Sequence, residues 1–164
     1  MAPTLTPELA KFVGPQVPVP QRLMAARGLV PLPPALMAQA YYFLSQAEEP
    51  EVQAAARKSI AGLPPNLLRP ALQNLRDTEA LAFYAASRQD EAVQEVLCTN
   101  PATPIESLAA IARSCGRFIQ GILVQNDQQL LKGALLSDAL LENPALDGDY
   151  RARVVEFRKN FLGI

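Results

Sequence analysis

The segment that most constrains the fold is residues 99–112, which read TNPATPIESLAAIA. Asn100 can adopt the left-handed conformation that closes a helix, and the proline after it cannot continue that helix. Thr103 is placed to cap a following helix, with proline next and Glu106 three residues later, which is the pattern of a capping box. The segment therefore predicts the end of one helix, a tight turn and the start of a second helix.

Weaker versions of this turn recur along the chain, at residues 31–37, 63–68, 126–131 and 143–147. Their spacing is uneven, so the pattern indicates a degenerate array of repeats or one with insertions. Chains of repeated helix-turn-helix units usually form solenoids, and solenoids mostly bind other molecules.

Composition supports an all-helical fold. The hydrophobic fraction is 49% and comes largely from Ala and Leu, which favour helices, and runs with strand-like alternation are missing. Most of the 15 prolines fall where helices are expected to begin or to have just ended. The fold class predicted is all-α, a short α-solenoid of roughly 9 to 12 helices.

A helix is expected over 128–136, and Asp147 is expected to cap a last helix that runs to about Phe161. The predicted core is Leu36, Leu44, Val52, Leu68, Leu81, Val93, Leu97, Leu108, Ile111, Ile119, Leu123, Leu131 and Leu135.

The chain is interpreted as one domain, 1–164. Residues 1–32 form a proline-rich N-terminal cap region, 33–146 carry the repeats, and 147–164 form a C-terminal capping helix. The length suits a single domain with a sizeable core.

One part of the chain resembles a known family. Residues 90–97, DEAVQEVL, followed by NPATP at 100–104 and by Leu108 and Ile111, are similar to the leucine-rich repeat variant, a bacterial relative of HEAT-like helical repeats. Residues 51–68 are a poorer match. The resemblance implies a helical repeat fold and a binding role, and it names no catalytic residue. Some members of that family carry an iron–sulfur cluster on several cysteines, which two cysteines do not imply here.

Chemistry-bearing motifs are scarce. The chain has no histidine, which removes the commonest general base and metal ligand. No phosphate-binding glycine loop or nucleophile elbow is present. Cys98 and Cys115 are interpreted as buried small hydrophobes, with a reactive thiol as the alternative at Cys115, near Arg113 and Arg117. The sequence predicts a non-enzymatic protein without a cofactor or metal.

Tyr42 and Phe83 are the candidate partner-binding residues. Each falls on the otherwise polar side of an Ala-rich helix, so both are expected to be at least partly exposed. Arg76 and Arg88 lie nearby in sequence and could frame the same surface. Filling of grooves between helices is the alternative interpretation of the two rings, whereas exposed aromatics and arginines would be hot spots of an interface.

The function predicted is a protein–protein interaction or scaffold module of a bacterial cytoplasmic system, whose partner is another protein or a second copy of the chain. A nucleic-acid-binding HEAT-like protein and a ligand-sensing regulatory domain are the alternatives. Basic residues cluster at residues 151–159, but the net charge of −1 gives little attraction to nucleic acid. The sequence shows no apolar run long enough for a transmembrane segment and no signal segment, and cysteine usage suggests a reducing compartment.

Overall fold

The computed structural model describes residues 5–164; residues 1–4, at the start of the predicted cap region, lie outside the described residues. The described part of the chain is all-helical, so the predicted fold class is confirmed at this level. No helix in it is long and apolar enough to cross a membrane. The helices are α1 (Pro7–Val13), α2 (Val19–Ala26), α3 (Pro34–Ser45), α4 (Pro50–Gly62), α5 (Pro65–Gln73), α6 (Thr78–Ser87), α7 (Glu91–Thr99), α8 (Ile105–Ala112), α9 (Arg117–Val124), α10 (Asp127–Leu130), α11 (Leu135–Glu142) and α12 (Gly148–Phe157), followed by a π-helical turn, Arg158–Leu162.

Backbone contacts divide the chain into two compact units. The first unit ends at Arg88 and the second is Gln89–Ile164. In each unit a helix packs mainly on helices close to it in sequence, as in α3 on α4 and α5, or α8 on α9 and α11. This sequential packing is consistent with a helical repeat arrangement. The division of the chain into 1–32, 33–146 and 147–164 stays a prediction.

Proline starts the helices of the first unit. A proline occupies the first or second position of all five helices from α1 to α5. The first N–H groups of a helix have no intrahelical acceptor, so a residue without an N–H costs little there. Pro70 is different, because it lies inside α5, where it removes one backbone hydrogen bond.

The second unit repeats one pattern where its helices end, a fully buried leucine three residues before an asparagine. The pairs are Leu97 with Asn100, Leu123 with Asn126, and Leu140 with Asn143. At Asn100 and Asn143 the side-chain Oδ1 accepts the backbone N–H two residues on, at 2.9 Å in both cases. These Asx turns reverse the chain between α7 and α8 and between α11 and α12.

The turn at 99–104 forms where it was predicted but by other chemistry. Asn100 is extended, with φ −78° and ψ 120°, and is not left-handed. Its side chain closes the turn instead, by accepting the N–H of Ala102. Thr103 does not cap α8; its hydroxyl donates to the carbonyl of Leu97 at 2.6 Å, and α8 starts at Ile105 with no side-chain cap. The predicted capping box with Glu106 is therefore wrong.

Asp147 caps the last helix as predicted, and its carboxylate accepts the N–H groups of residues 149 and 150.

The helix predicted over 128–136 is wrong, since α10 is a single turn and α11 starts only at Leu135. Gly133 lies in the break between α10 and α11. Its φ of 152° is a conformation that residues with a side chain rarely adopt. The break leaves Leu131 and Leu135 exposed, so their placement in the core was also wrong. Leu36 is half-buried, and the other predicted core residues are buried.

Candidate functional site

The predicted aromatic pair is brought together in the first unit. Tyr42 on α3 and Phe83 on α6 lie with ring centroids 5.4 Å apart, and Phe83 also makes an edge contact with Tyr84 at 6.2 Å. Phe83 is half-buried, but Tyr42 is only 6% exposed. The expected exposure of Tyr42 is therefore wrong, because the ring of Phe83 on α6 packs against it.

The ionisation of Tyr42 reflects this environment. Its pKa is raised, first by burial and then by the negative charges of Glu79 and Asp77. The ring pair thus lies beside an acidic helix start, since Asp77 is the N-cap of α6. Of the two rings, the half-buried Phe83 is the more accessible to solvent, and Tyr42 contributes little exposed area.

Arg76 and Arg88 do not share one environment. Arg76 is exposed and its guanidinium donates to the carbonyls of Gln73 and Leu75, at the end of α5. Arg88 is buried, and its Nη1 donates to the carbonyls of Ile60 and Leu63 at 3.0 and 2.7 Å. Arg88 therefore closes the C-terminal end of α4, a structural role that sequence reasoning missed because its acceptors lie 25 and 28 residues away.

The basic cluster of the last helix is partly used within the second unit. Arg158 pairs with Asp138 and also donates to the hydroxyl of Ser137. Arg151 donates to the carbonyls of Leu141 and Asn143 at 3.4 and 3.5 Å. These contacts tie the last helix to α11, so the cluster is not simply a free basic face.

Both thiols are buried, as predicted. Burial raises the pKa of Cys98 to about 12 and that of Cys115 to about 11. Since the thiolate is the reactive form, neither sulfur is activated at neutral pH. The alternative of a reactive Cys115 thus receives no support from Arg113 and Arg117, which instead pair with Glu142 and Asp147.

A groove that sequence reasoning missed lies in the second unit, between α10 and the last helix. Its volume is about 310 Å³, and apolar side chains line most of it, together with the polar residues Asp127, Arg153, Glu156 and Asn160. Leu131 and Phe161, which line it, are 52% and 65% exposed. Phe161 lies 5.0 Å from Phe157 between ring centroids, so two aromatic rings form one wall. We call this feature the C-terminal groove. Sequence reasoning missed it because the groove depends on the packing of α10 beside the last helix, which the periodicity of a single helix does not predict.

A second concave surface lies in the first unit, among α2, α3 and α4. It encloses about 720 Å³ and includes charged residues of both signs. Within residues 5–164, no three His, Cys, Asp or Glu side chains are grouped so that they could hold a metal ion.

Comparison of the chain with known protein families, with curated proteins and with solved structures finds no match.

Proposed function

We propose that this chain is a non-enzymatic protein–protein interaction or scaffold module, built as a short α-solenoid of HEAT-like repeats similar to the leucine-rich repeat variant. Sequential helix packing and the recurring leucine-to-asparagine spacing of the second unit support the repeat interpretation. A bacterial cytoplasmic setting belongs to the same proposal and follows from the resemblance and from cysteine usage.

The observation that carries the binding role is the C-terminal groove. Large apolar side chains that stay this exposed in one concave patch are typical of surfaces that bind a protein. The rings of Phe157 and Phe161 could supply the aromatic anchors that dominate interface energetics. The half-buried Phe83 would form a smaller, separate contact in the first unit.

The test is affinity capture from the native host with the full chain and with Phe161→Asp, which places a charge in the groove. We expect loss of the specifically captured protein without loss of stability, because Phe161 is exposed. Phe118→Asp is the matched control, since Phe118 is 53% exposed, lies on α9 and does not line the groove. Equal capture by the wild type and by Phe161→Asp would contradict the proposal for this groove.

The same variants decide between a foreign partner and a second copy of the chain. If the groove binds a copy, sedimentation equilibrium of the purified wild type will show a dimer that Phe161→Asp converts to monomer. If it binds another protein, the purified chain will be a monomer in both forms.

A further inference from the structure

The second unit has another concave surface, on the side of α10 that is turned away from the C-terminal groove. Leu130 and Leu131 line the groove, whereas Gln128 and Gln129 line the other surface. At 3.6 residues per turn, the two pairs point in directions roughly 160° apart around the helix axis. The second surface also includes the turn after α7 and the end of α9, and it encloses about 410 Å³. We call this feature the amide cavity.

Carboxamide side chains form much of the polar wall of the amide cavity. Gln125, Asn126, Gln128 and Gln129 line it, and Lys132 is the charged residue among them; none of its described lining residues is acidic. A carboxamide carries both a donor and an acceptor, so this wall suits a neutral group that also has both. A cationic donor would meet Lys132 with no carboxylate to offset its charge, and a carboxylate accepts hydrogen bonds without donating any.

Gln129 distinguishes this cavity from the other concave surfaces. It is only 7% exposed, and within residues 5–164 its Oε1 is the buried side-chain polar atom for which the protein supplies no hydrogen-bond partner. Its backbone groups are both bonded, the N–H to Oδ1 of Asn126 at 3.3 Å and the carbonyl to the N–H of Lys132 at 3.2 Å. The group left without a partner is therefore the side-chain oxygen.

Gln120, another buried glutamine of the second unit, shows the usual arrangement. Its Nε2 donates to the carbonyls of Cys115 and Ala145 at 3.0 and 3.1 Å, and its Oε1 accepts the N–H of Asp147 at 3.0 Å. Buried polar side chains normally have such partners, because a desolvated group that stays unpaired destabilises the folded state. A buried acceptor without an internal donor, at the wall of a concave surface, favours a donor on a bound molecule.

We propose that the amide cavity binds the backbone of an extended segment of a protein partner, with a peptide N–H donating to Gln129 Oε1 and the carbonyl of the same residue accepting from the Gln129 amide. In an extended strand the N–H and C=O of one residue point to the same side, which matches the adjacent acceptor and donor of a carboxamide. The terminal torsion of glutamine is broad, so the amide rotates its buried Oε1 toward a donor in the cavity without movement of α10.

The inference rests on the proposed function as an interaction module. It adds a polar site that recognises backbone groups to the apolar C-terminal groove on the other side of α10. The formal net charge of −1 gives little attraction to nucleic acid, which favours a protein segment as the occupant.

The experiment titrates the whole chain with small neutral probes and follows backbone amide NMR shifts. Acetyl-Ala-Ala-Ala-N-methylamide, the alanine probe, offers backbone N–H groups and carbonyls. Acetyl-Sar-Sar-Sar-dimethylamide, the sarcosine probe, keeps the carbonyls and has no N–H. We expect the alanine probe to shift the amides of residues 125–132 with a dissociation constant of about 10 mM or tighter. The sarcosine probe should bind at least about tenfold more weakly, and so should propionamide, which offers only the amide of a side chain.

Variants test whether Gln129 Oε1 is the acceptor. Gln129→Met keeps the length of the side chain and removes the amide, so it should weaken binding of the alanine probe at least about tenfold. The same change removes a buried polar atom without an internal partner, so its Tm should equal or exceed that of the wild type. Gln120→Met is the control for stability and should melt lower, because it loses three internal hydrogen bonds. Gln73→Met, at an exposed position of α5, is the control for binding and should bind the alanine probe like the wild type.

The proposal is overturned if the alanine probe fails to bind in the millimolar range, if the sarcosine probe or propionamide binds equally well, or if Gln129→Met binds as the wild type does. A Tm of Gln129→Met below that of the wild type would also overturn it, since the amide would then have a partner within the protein. Tighter binding of a uridine hexanucleotide than of the alanine probe would assign the cavity to nucleic acid instead.

Phe161→Asp separates this site from the C-terminal groove, because Phe161 lines the groove and not the amide cavity. It should bind the alanine probe like the wild type. Capture that depends on Phe161 without binding of the alanine probe would reject the amide cavity alone. Binding of the probe without capture that depends on Phe161 would reject the groove alone.

Discussion

The two units of this chain fulfil one structural requirement with different residues. In the first unit the C-cap residue of α6, Arg88, reaches back to the carbonyls of Ile60 and Leu63 at the end of α4. In the second unit the C-cap residue of α11, Asn143, donates through Nδ2 to the carbonyls of Ala112 and Cys115 at the end of α8, both at 3.0 Å. In both, a buried side chain at the end of one helix satisfies carbonyls that another helix leaves open.

The difference explains why the sequence resemblance is uneven. An asparagine closes its own turn and donates to the neighbouring helix with one short side chain, so the same three letters, Asn-Pro-Ala, recur at 100–102 and 143–145. Arg88 donates to the carbonyls of the neighbouring helix but does not close its own turn, so it requires no turn motif. A pattern defined by residue type therefore matches the second unit well and the first unit, at residues 51–68, only poorly.

Asn143→Ala should have the largest effect on stability. It removes two hydrogen bonds to buried carbonyls and the acceptor of the Ala145 N–H, at a buried position. At about 0.5 to 1.5 kcal/mol for each bond, we expect a loss of roughly 2 to 4 kcal/mol in urea melts. Asn74→Ala is the matched control, because Asn74 is the exposed C-cap of α5 and should change stability by less than about 0.5 kcal/mol. Equal effects at the two positions would contradict the bridging role.

Arg88→Ala tests the counterpart in the first unit. We expect a loss of about 2 kcal/mol, since two charge-assisted hydrogen bonds from Nη1 to buried or half-buried carbonyls disappear. Arg57→Ala, at an exposed position of α4, should leave stability within about 0.5 kcal/mol of the wild type. If Arg88→Ala is as mild as its control, the analogy between the two units fails.

Thr103→Ala should cost about 1 kcal/mol, because the hydroxyl bond to the Leu97 carbonyl is lost. The coupling with Glu106 is more informative than the size of the effect. Since Thr103 does not cap α8, the losses in Thr103→Ala and Glu106→Ala should add within about 0.5 kcal/mol in the double variant. A larger coupling energy would show that a capping box forms after all.

Much of the helical layout could be predicted from the sequence. Prolines at first-turn positions and Asp147 at an N-cap are local signals, and each places a helix start from its own neighbourhood. The turn at Asn100 was located correctly for the same reason. Its conformation was not, because asparagine can close a turn either by a left-handed backbone or by a side-chain bond, and the sequence does not distinguish these.

The features that were missed depend on contacts distant in sequence. Arg88 finds its acceptors at the end of α4, and Tyr42 packs against Phe83 of α6, so neither burial can be inferred from the periodicity of one helix. Leu131 and Leu135 have the right helical spacing for a core, but the break at Gly133 rotates them out. The candidate groove and cavity arise from such packing, and single-helix patterns do not reveal them.

The smallest effect expected is on two ion pairs, one in each unit, and it appears only as a dependence on pH. Arg22 binds Glu49 through two bonds, of 2.6 and 3.1 Å, with the arginine side chain 11% exposed, whereas Arg117 of the second unit is 69% exposed and binds Asp147 through one bond of 3.0 Å. In each pair the arginine hydrogen bond is the main cause of a lowered carboxylate pKa. A carboxylate whose pKa is lowered by folding contributes its full stabilisation above its unfolded pKa, about 4 for such groups. This contribution is lost as the pH falls through the folded pKa.

Glu49→Gln should therefore be less stable than the wild type at pH 7 and equal to it near pH 2. Asp147→Asn, which keeps an oxygen for the α12 cap, should show a smaller difference of the same sign, because solvent screens the exposed pair more strongly. Urea melts across this pH range measure both, and a larger pH-dependent difference for Asp147→Asn than for Glu49→Gln would reverse the ranking of the two units.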